Sequence, residues 1–132
     1  MLYVVLDTNN LVSALWTPDG NASAIMELVL TDKLIPCFNQ DIIKEYKTVL
    51  TRPKLAFKNG LAYTFIYEII GRGITVTVKP GKITMSDESD RKFYDVAKFC
   101  DAYLITGYLK HFPKDRMILN PGEFLKKYYL DI

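Results

Sequence analysis

Three carboxylates stand where chemistry is possible: Asp7, Glu45 and Asp90. Asp7 follows the apolar run Tyr3-Val4-Val5-Leu6. That run has the unbroken hydrophobicity of a strand buried on both faces, as in a parallel sheet. Ligands of open parallel sheets gather beyond the carboxyl ends of the strands, which places Asp7 at the lip of an apolar floor. Glu45 sits at the border of a helical apolar face made by Ile42, Ile43, Tyr46, Val49 and Leu50. Asp90 opens another helix on the same stripe as Phe93 and Ala97. Its carboxylate is therefore directed along the side that packs on the sheet.

A buried carboxylate is costly unless it is paired, hydrogen-bonded or bound to a metal. No histidine or cysteine cluster accompanies these acids, and an oxygen-only donor set suits Mg²⁺ or Mn²⁺. Such an ion activates water and neutralises charge developing on phosphate oxygens, a chemistry suited to cutting phosphodiesters. Structural roles stand beside this reading. Asp90 also qualifies as a helix N-terminal acid favoured by the dipole, worth about 0.3–1 kcal/mol. Glu45 also qualifies as a solvated helix residue. Asp95 falls on the side of its helix opposite Asp90 and is expected to face solvent, while Asp101 is placed at the sheet edge remote from Asp7.

The elements that must position these acids can be read in order. The segment Asn9 to Leu15 suits a short helix, and Trp16 to Gly20 a turn. Asn21 is expected to cap a helix, and Leu34 to Phe38 to form a strand whose Pro36 suits a start or an edge. Asn39 caps the helix carrying Glu45, which ends ahead of Arg52-Pro53-Lys54. A helix from Leu61 to Ile70 precedes an alternating strand from Ile74 to Val78. Asp87 to Asp90 leads into the helix bearing Phe93, Val96, Ala97 and Cys100. Strands Tyr103 to Thr106 and Met117 to Leu119 follow, and Asn120-Pro121-Gly122-Glu123 opens a last helix. Strands alternating with helices predict an α/β fold on a mostly parallel sheet.

Composition sets the bounds. With 132 residues, 49% of them hydrophobic, the chain suits one domain with a buried core and does not suit disorder. A net charge of +2 leaves any nucleic-acid contact to local basic patches. Cys37 and Cys100 lie in apolar segments without metal-ligand spacing, as buried thiols of a reducing cytoplasm do. No signal-peptide pattern and no apolar run of roughly 18 residues is present, so a cytoplasmic protein without membrane association is expected.

The same residues resemble a known family, the PIN domains, and within it the toxin components of bacterial toxin–antitoxin pairs. Leu6-Asp7-Thr8-Asn9 looks like the family's opening motif after its first strand. Glu45-Tyr46 with Val49-Leu50 and Arg52-Pro53-Lys54 resembles its second acidic segment, and Asp87 through Ala97 its third. Ala102 through Gly107 and Leu119 through Leu125 are similar to its last two motifs. The resemblance implies one PIN-like domain over residues 1–132, with a five-stranded sheet in the order 3-2-1-4-5 flanked by helices. It implies a Mg²⁺- or Mn²⁺-dependent ribonuclease whose metal ligands and catalytic acids are Asp7, Glu45 and Asp90. Thr8, Asn9 and Thr106 would orient ligands or water. The implied partners are RNA, a small antitoxin covering the site, and further copies of the chain in a homodimer or higher oligomer.

One departure matters. The family usually places a fourth aspartate after Thr106-Gly107, where this chain has Tyr108. A phenol with an ordinary pKa of about 10 is a poor ligand for Mg²⁺. Either three acids hold an ion, or the chain is a weakened or inactive relative that keeps RNA or antitoxin binding. Asp115 and His111 in the next loop are the candidates to replace the missing acid. Arg52, Lys54, Arg91, Lys92, Lys110, His111 and Lys114 cluster after the proposed site positions, as a phosphate-binding rim or as a solvated face. Tyr108 is suited to stacking a base. A phosphatase using an aspartyl nucleophile needs a second aspartate two residues on, and Asn9 occupies that position.

Overall fold

A computed structural model describes residues 2–131. Five strands form one sheet: β1 (Leu2–Leu6), β2 (Leu34–Phe38), β3 (Ile74–Thr75), β4 (Tyr103–Ile105) and β5 (Ile118–Leu119). All neighbours are parallel, in the order β3-β2-β1-β4-β5. This is the expected topology. The apolar run of β1 takes the centre, with Val4, Val5 and Leu6 buried, because a central parallel strand meets protein on both faces.

Six helices flank the sheet: α1 (Thr8–Trp16), α2 (Asn21–Leu30), α3 (Gln40–Leu50), α4 (Asn59–Gly71), α5 (Arg91–Cys100) and α6 (Pro121–Asp131). Their ends follow local chemistry. The Asn39 side chain accepts from the Ile42 N–H at 2.9 Å and starts α3. Asn120 and Glu123 accept from each other's backbone N–H at 2.8 and 3.0 Å, a reciprocal cap that starts α6. At α2 the cap is Gly20, with Asn21 already inside the helix. Helix α5 packs across β1, β2 and β4, with Phe93, Val96 and Ala97 buried beneath it.

Three further expectations need correction. Pro36 lies inside β2, which is an interior strand between β1 and β3. It is tolerated there because β3 begins only opposite Cys37, one residue later. The alternating run Ile74–Val78 pairs only through Ile74 and Thr75, with a further bond from the Val76 N–H to the Phe38 carbonyl at 2.8 Å. Beyond it the chain leaves the sheet as an extended loop. Asp95 does not simply face solvent: it accepts from the Gly81 N–H at 3.1 Å and anchors that loop.

Gly73 permits the close approach of β3 to β2. A Cβ there would meet the Pro36 carbonyl oxygen at 2.3 Å and the Phe38 ring at 2.7 Å. Cys37 and Cys100 are both free thiols. Burial, followed by the neighbouring Cys100, pushes the Cys37 thiol up to about 12. No helix among the described residues is long and apolar enough to cross a membrane.

Candidate active site

The site is built at the carboxyl ends of β1 and β4. The Asp7 N–H donates to the Ile105 carbonyl at 3.0 Å, so β1 stays paired with β4 up to its last residue. Asp7 then caps α1, accepting from the Asn9 N–H at 3.5 Å. Its side chain is enclosed: Asp7 is 5% exposed and Thr106, beside it, 0%. The Thr106 hydroxyl donates to Asp7 Oδ2 at 2.7 Å and accepts from the Tyr108 N–H at 3.0 Å. The Thr106 hydroxyl thus links the end of β4 to the Asp7 carboxylate.

Glu45 reaches this end of the sheet because its neighbour Tyr46 is buried and donates its hydroxyl to the Leu6 carbonyl at 2.6 Å. That bond ties the middle of α3 to the last residue of β1. The Thr8 hydroxyl donates to Glu45 Oε2, and the Lys92 ammonium stands 2.9 Å from Glu45 Oε1. Asp90 is carried in by Phe93, buried one turn later in the chain. Its Oδ2 is buried without a hydrogen-bond partner among the described residues. His111 Nδ1 lies 3.4 Å from that oxygen, a proximity that is electrostatic only, because its geometry does not make a hydrogen bond.

The three acids share one electrostatic neighbourhood. Burial raises the Asp7 carboxyl above the usual carboxylate range, with the Glu45 charge adding to it and the Thr106 hydroxyl opposing it. Burial also raises Asp90, reinforced by the charges of Asp7 and Asp87 and opposed by His111 and Lys92. The Tyr46 phenol is raised well above its ordinary value by burial and then by Asp7 and Glu45. Asp7 therefore feels the Glu45 charge, and Asp90 feels that of Asp7.

The remaining expected residues divide. Asn9 is exposed and supplies a backbone N–H to Asp7. The buried asparagine is Asn10, at 4% exposure, whose amide nitrogen and oxygen lack partners among the described residues. The Asn9-Asn10 pair was the only signal for it, and strand-end reasoning does not say which of two adjacent residues turns inward. Arg91 is engaged by Glu88 at 2.6 Å and by the carbonyls of Gly81 and Ile83, so it braces the loop. Lys92 is turned to Glu45 and the Ser89 carbonyl. Arg52 is exposed and, with Lys44, Glu45 and Lys92, lines a groove of about 540 Å³ between α3 and the start of α5.

Tyr108 is exposed and stacks on His111, with centroids 5.2 Å apart and planes 13° from parallel. Asp115 does not replace the missing acid: it pairs with Lys98 and accepts from the Met117 N–H at 2.8 Å. Of the two loop candidates only His111 comes to the site. Its distance in sequence from Asp90 gave no spacing to recognise.

Asp7 and Asp90 suit a divalent cation by chemistry. They are oxygen donors each raised by burial, with Asp7's charge raising Asp90 further, and one buried oxygen of Asp90 is unpartnered among the described residues. The arrangement is not a finished ligand cage: among the described residues no group of three His, Cys, Asp or Glu side chains is poised to hold a metal. Glu45, with Thr8 and Lys92 on its oxygens, is the acid held back.

The pattern of the PIN domain family matches residues 3–107. An uncharacterised protein of Methanocaldococcus jannaschii is 31% identical over 107 residues, covering 79% of this chain and 69% of its own. No solved structure matches. A sheet ordered β3-β2-β1-β4-β5 agrees with that match, and the chain belongs to the PIN domain family, whose members are in general nucleases that use divalent metal ions.

Proposed function

We propose that the protein is an endoribonuclease that hydrolyses RNA phosphodiester bonds with Mg²⁺ or Mn²⁺ held by Asp7, Glu45 and Asp90. The observation that carries this reading is the pair of Asp7 at a strand end and Asp90 at the start of α5, each raised by burial, with Asp7's charge acting on Asp90, and one Asp90 oxygen without a partner among the described residues. When bound, such an ion supplies an activated water and neutralises charge on the phosphate. The chain's own residues do the rest. Thr106 holds Asp7 Oδ2, Thr8 orients Glu45, and Tyr46 keeps α3 at the end of β1. Lys44 and Arg52 on the groove wall suit phosphate contacts, and the exposed Tyr108 offers a face to an unpaired base.

The test is cleavage of single-stranded RNA with Mn²⁺ or Mg²⁺. Wild type cuts, and Asp7→Asn loses at least about a hundredfold, as removal of a directly acting group does. Intact RNA with either ion overturns the proposal.

A second reading is favoured by one observation. Tyr108 occupies the usual fourth acid position and is stacked on His111 instead of turned inward. On that reading the chain is a non-catalytic module that binds RNA or an antitoxin without metal. As in the toxin group that the sequence resembles, a small antitoxin and further copies of the chain are the protein partners we propose. The exposed Leu61 and Tyr67 of α4 supply apolar surface for them.

A further inference from the structure

Both oxygens of Glu45 are taken. Thr8 donates to Oε2, and Lys92 Nζ lies 2.9 Å from Oε1. The lysine is not a loose surface side chain. It is 17% exposed, its ammonium also donates to the Ser89 carbonyl, and it lies 5.1 Å from the centroid of the Phe93 ring. A long, flexible stem held at three points has given up most of its rotamer freedom. An ion pair with both partners mostly enclosed is stronger than a solvated one, because water screens it less.

Its position gives the pairing a consequence. Lys92 comes two residues after Asp90 on the chain and reaches across to α3. It therefore brings positive charge to Glu45 by contact and to Asp90 through space, while Asp90 Oδ2 itself stays without a hydrogen bond among the described residues. Asp90 registers that charge as well, since Lys92 opposes the rise caused by burial. A staple placed only to join α3 to α5 would have no need to use the one carboxylate that Thr8 already aims at the strand end.

We propose that Lys92 is the resident counter-cation of the acidic site and holds Glu45 closed, so that Glu45 becomes available to a divalent ion only when Lys92 leaves it. This rests on the metal-dependent reading above. The released ammonium stays on the wall of the groove that Lys92 already lines, where it meets substrate phosphate. Filling the metal site and strengthening the grip on RNA are then one event.

The test is a double-mutant cycle read by Mn²⁺ titration calorimetry, with no RNA and no turnover. Lys92→Gln is made in the wild type and in Glu45→Gln. Tightening of about tenfold is expected in the wild-type background, about 1.4 kcal/mol, and no change in the Glu45→Gln background. Lys92→Arg keeps the pairing cation and is expected not to tighten binding. If Lys92→Gln leaves the wild-type affinity unchanged, or tightens both backgrounds equally through its charge alone, the lock is overturned while the metal site stands. If no variant and not the wild type binds Mn²⁺, the metal-dependent reading falls and the lock with it. Lys92→Met, whose stem keeps the contact with Phe93, replaces Lys92→Gln should the latter not fold.

Discussion

Thr106→Val removes one oxygen from the most enclosed polar contact in the site. The hydroxyl serves two partners, donating to Asp7 Oδ2 at 2.7 Å and accepting from the Tyr108 N–H at 3.0 Å. Valine fills the same volume and supports neither. Tyr108 is an exposed residue, and its N–H is expected to find water at little cost. Asp7, at 5% exposure, does not. An unsatisfied buried group costs about 1–3 kcal/mol, and more when charged, so we expect a loss of about 2–3 kcal/mol at neutral pH. For 132 residues, with unfolding entropy near 2.1 cal/mol/K per residue, this lowers Tm by about 7–11 °C. Urea denaturation in EDTA measures it, with an unchanged m-value showing that the same surface unfolds. The sign with pH follows from the same bond. The Thr106 hydroxyl favours the ionised Asp7, so its loss raises the folded-state carboxyl further, and the deficit grows as pH rises through that range and shrinks in acid. A deficit below about 0.5 kcal/mol, or strict additivity with Asp7→Asn, would refute the claim that Thr106 acts on Asp7.

Asp90 should show the cost of a buried charge directly. Its folded-state carboxyl is raised by burial and by Asp7 and Asp87. The folded chain therefore holds more proton than the unfolded one above the ordinary carboxylate range, and stability falls as pH rises through that window. In EDTA, Asp90→Asn should match the wild type in acid and exceed it at neutral pH by on the order of 1 kcal/mol, seen as a Tm difference that widens with pH; a difference flat with pH contradicts the assignment. Tyr108 separates the two functional readings. Tyr108→Ala should weaken single-stranded RNA binding by about 1–3 kcal/mol if the ring stacks on a base. Tyr108→Asp should raise Mn²⁺-dependent cleavage if the chain is a nuclease short of its usual acid, and leave RNA intact if it is a binding module.

The fold was largely legible because β1 advertises itself. Four apolar residues stopped by an aspartate identify a central parallel strand, and the capping residues Asn39 and Asn120 mark two helix starts that the structure keeps. Pro36 and the run Ile74–Val78 misled for one shared reason. Strand propensity describes a segment, whereas pairing depends on where its neighbour begins, and β3 begins late and ends early. Within the site, residues that act through regular geometry could be found: Asp7 at a strand end, and Asp90 on a helical stripe. The contacts that other residues make across the fold could not. Lys92 reads as one basic residue of a surface rim until its ammonium is seen on Glu45. His111 arrives beside Asp90 from a loop whose path no periodicity encodes.

The central claim is that Asp7 and Asp90 tolerate each other by sharing a divalent cation. Mn²⁺ titration calorimetry of the wild type beside Asp7→Asn and Asp90→Asn tests it most directly, each variant being checked for folding first. The account predicts saturable binding to the wild type and at least about a tenfold loss, near 1.4 kcal/mol, in each variant. Equal affinity in all three proteins would contradict it.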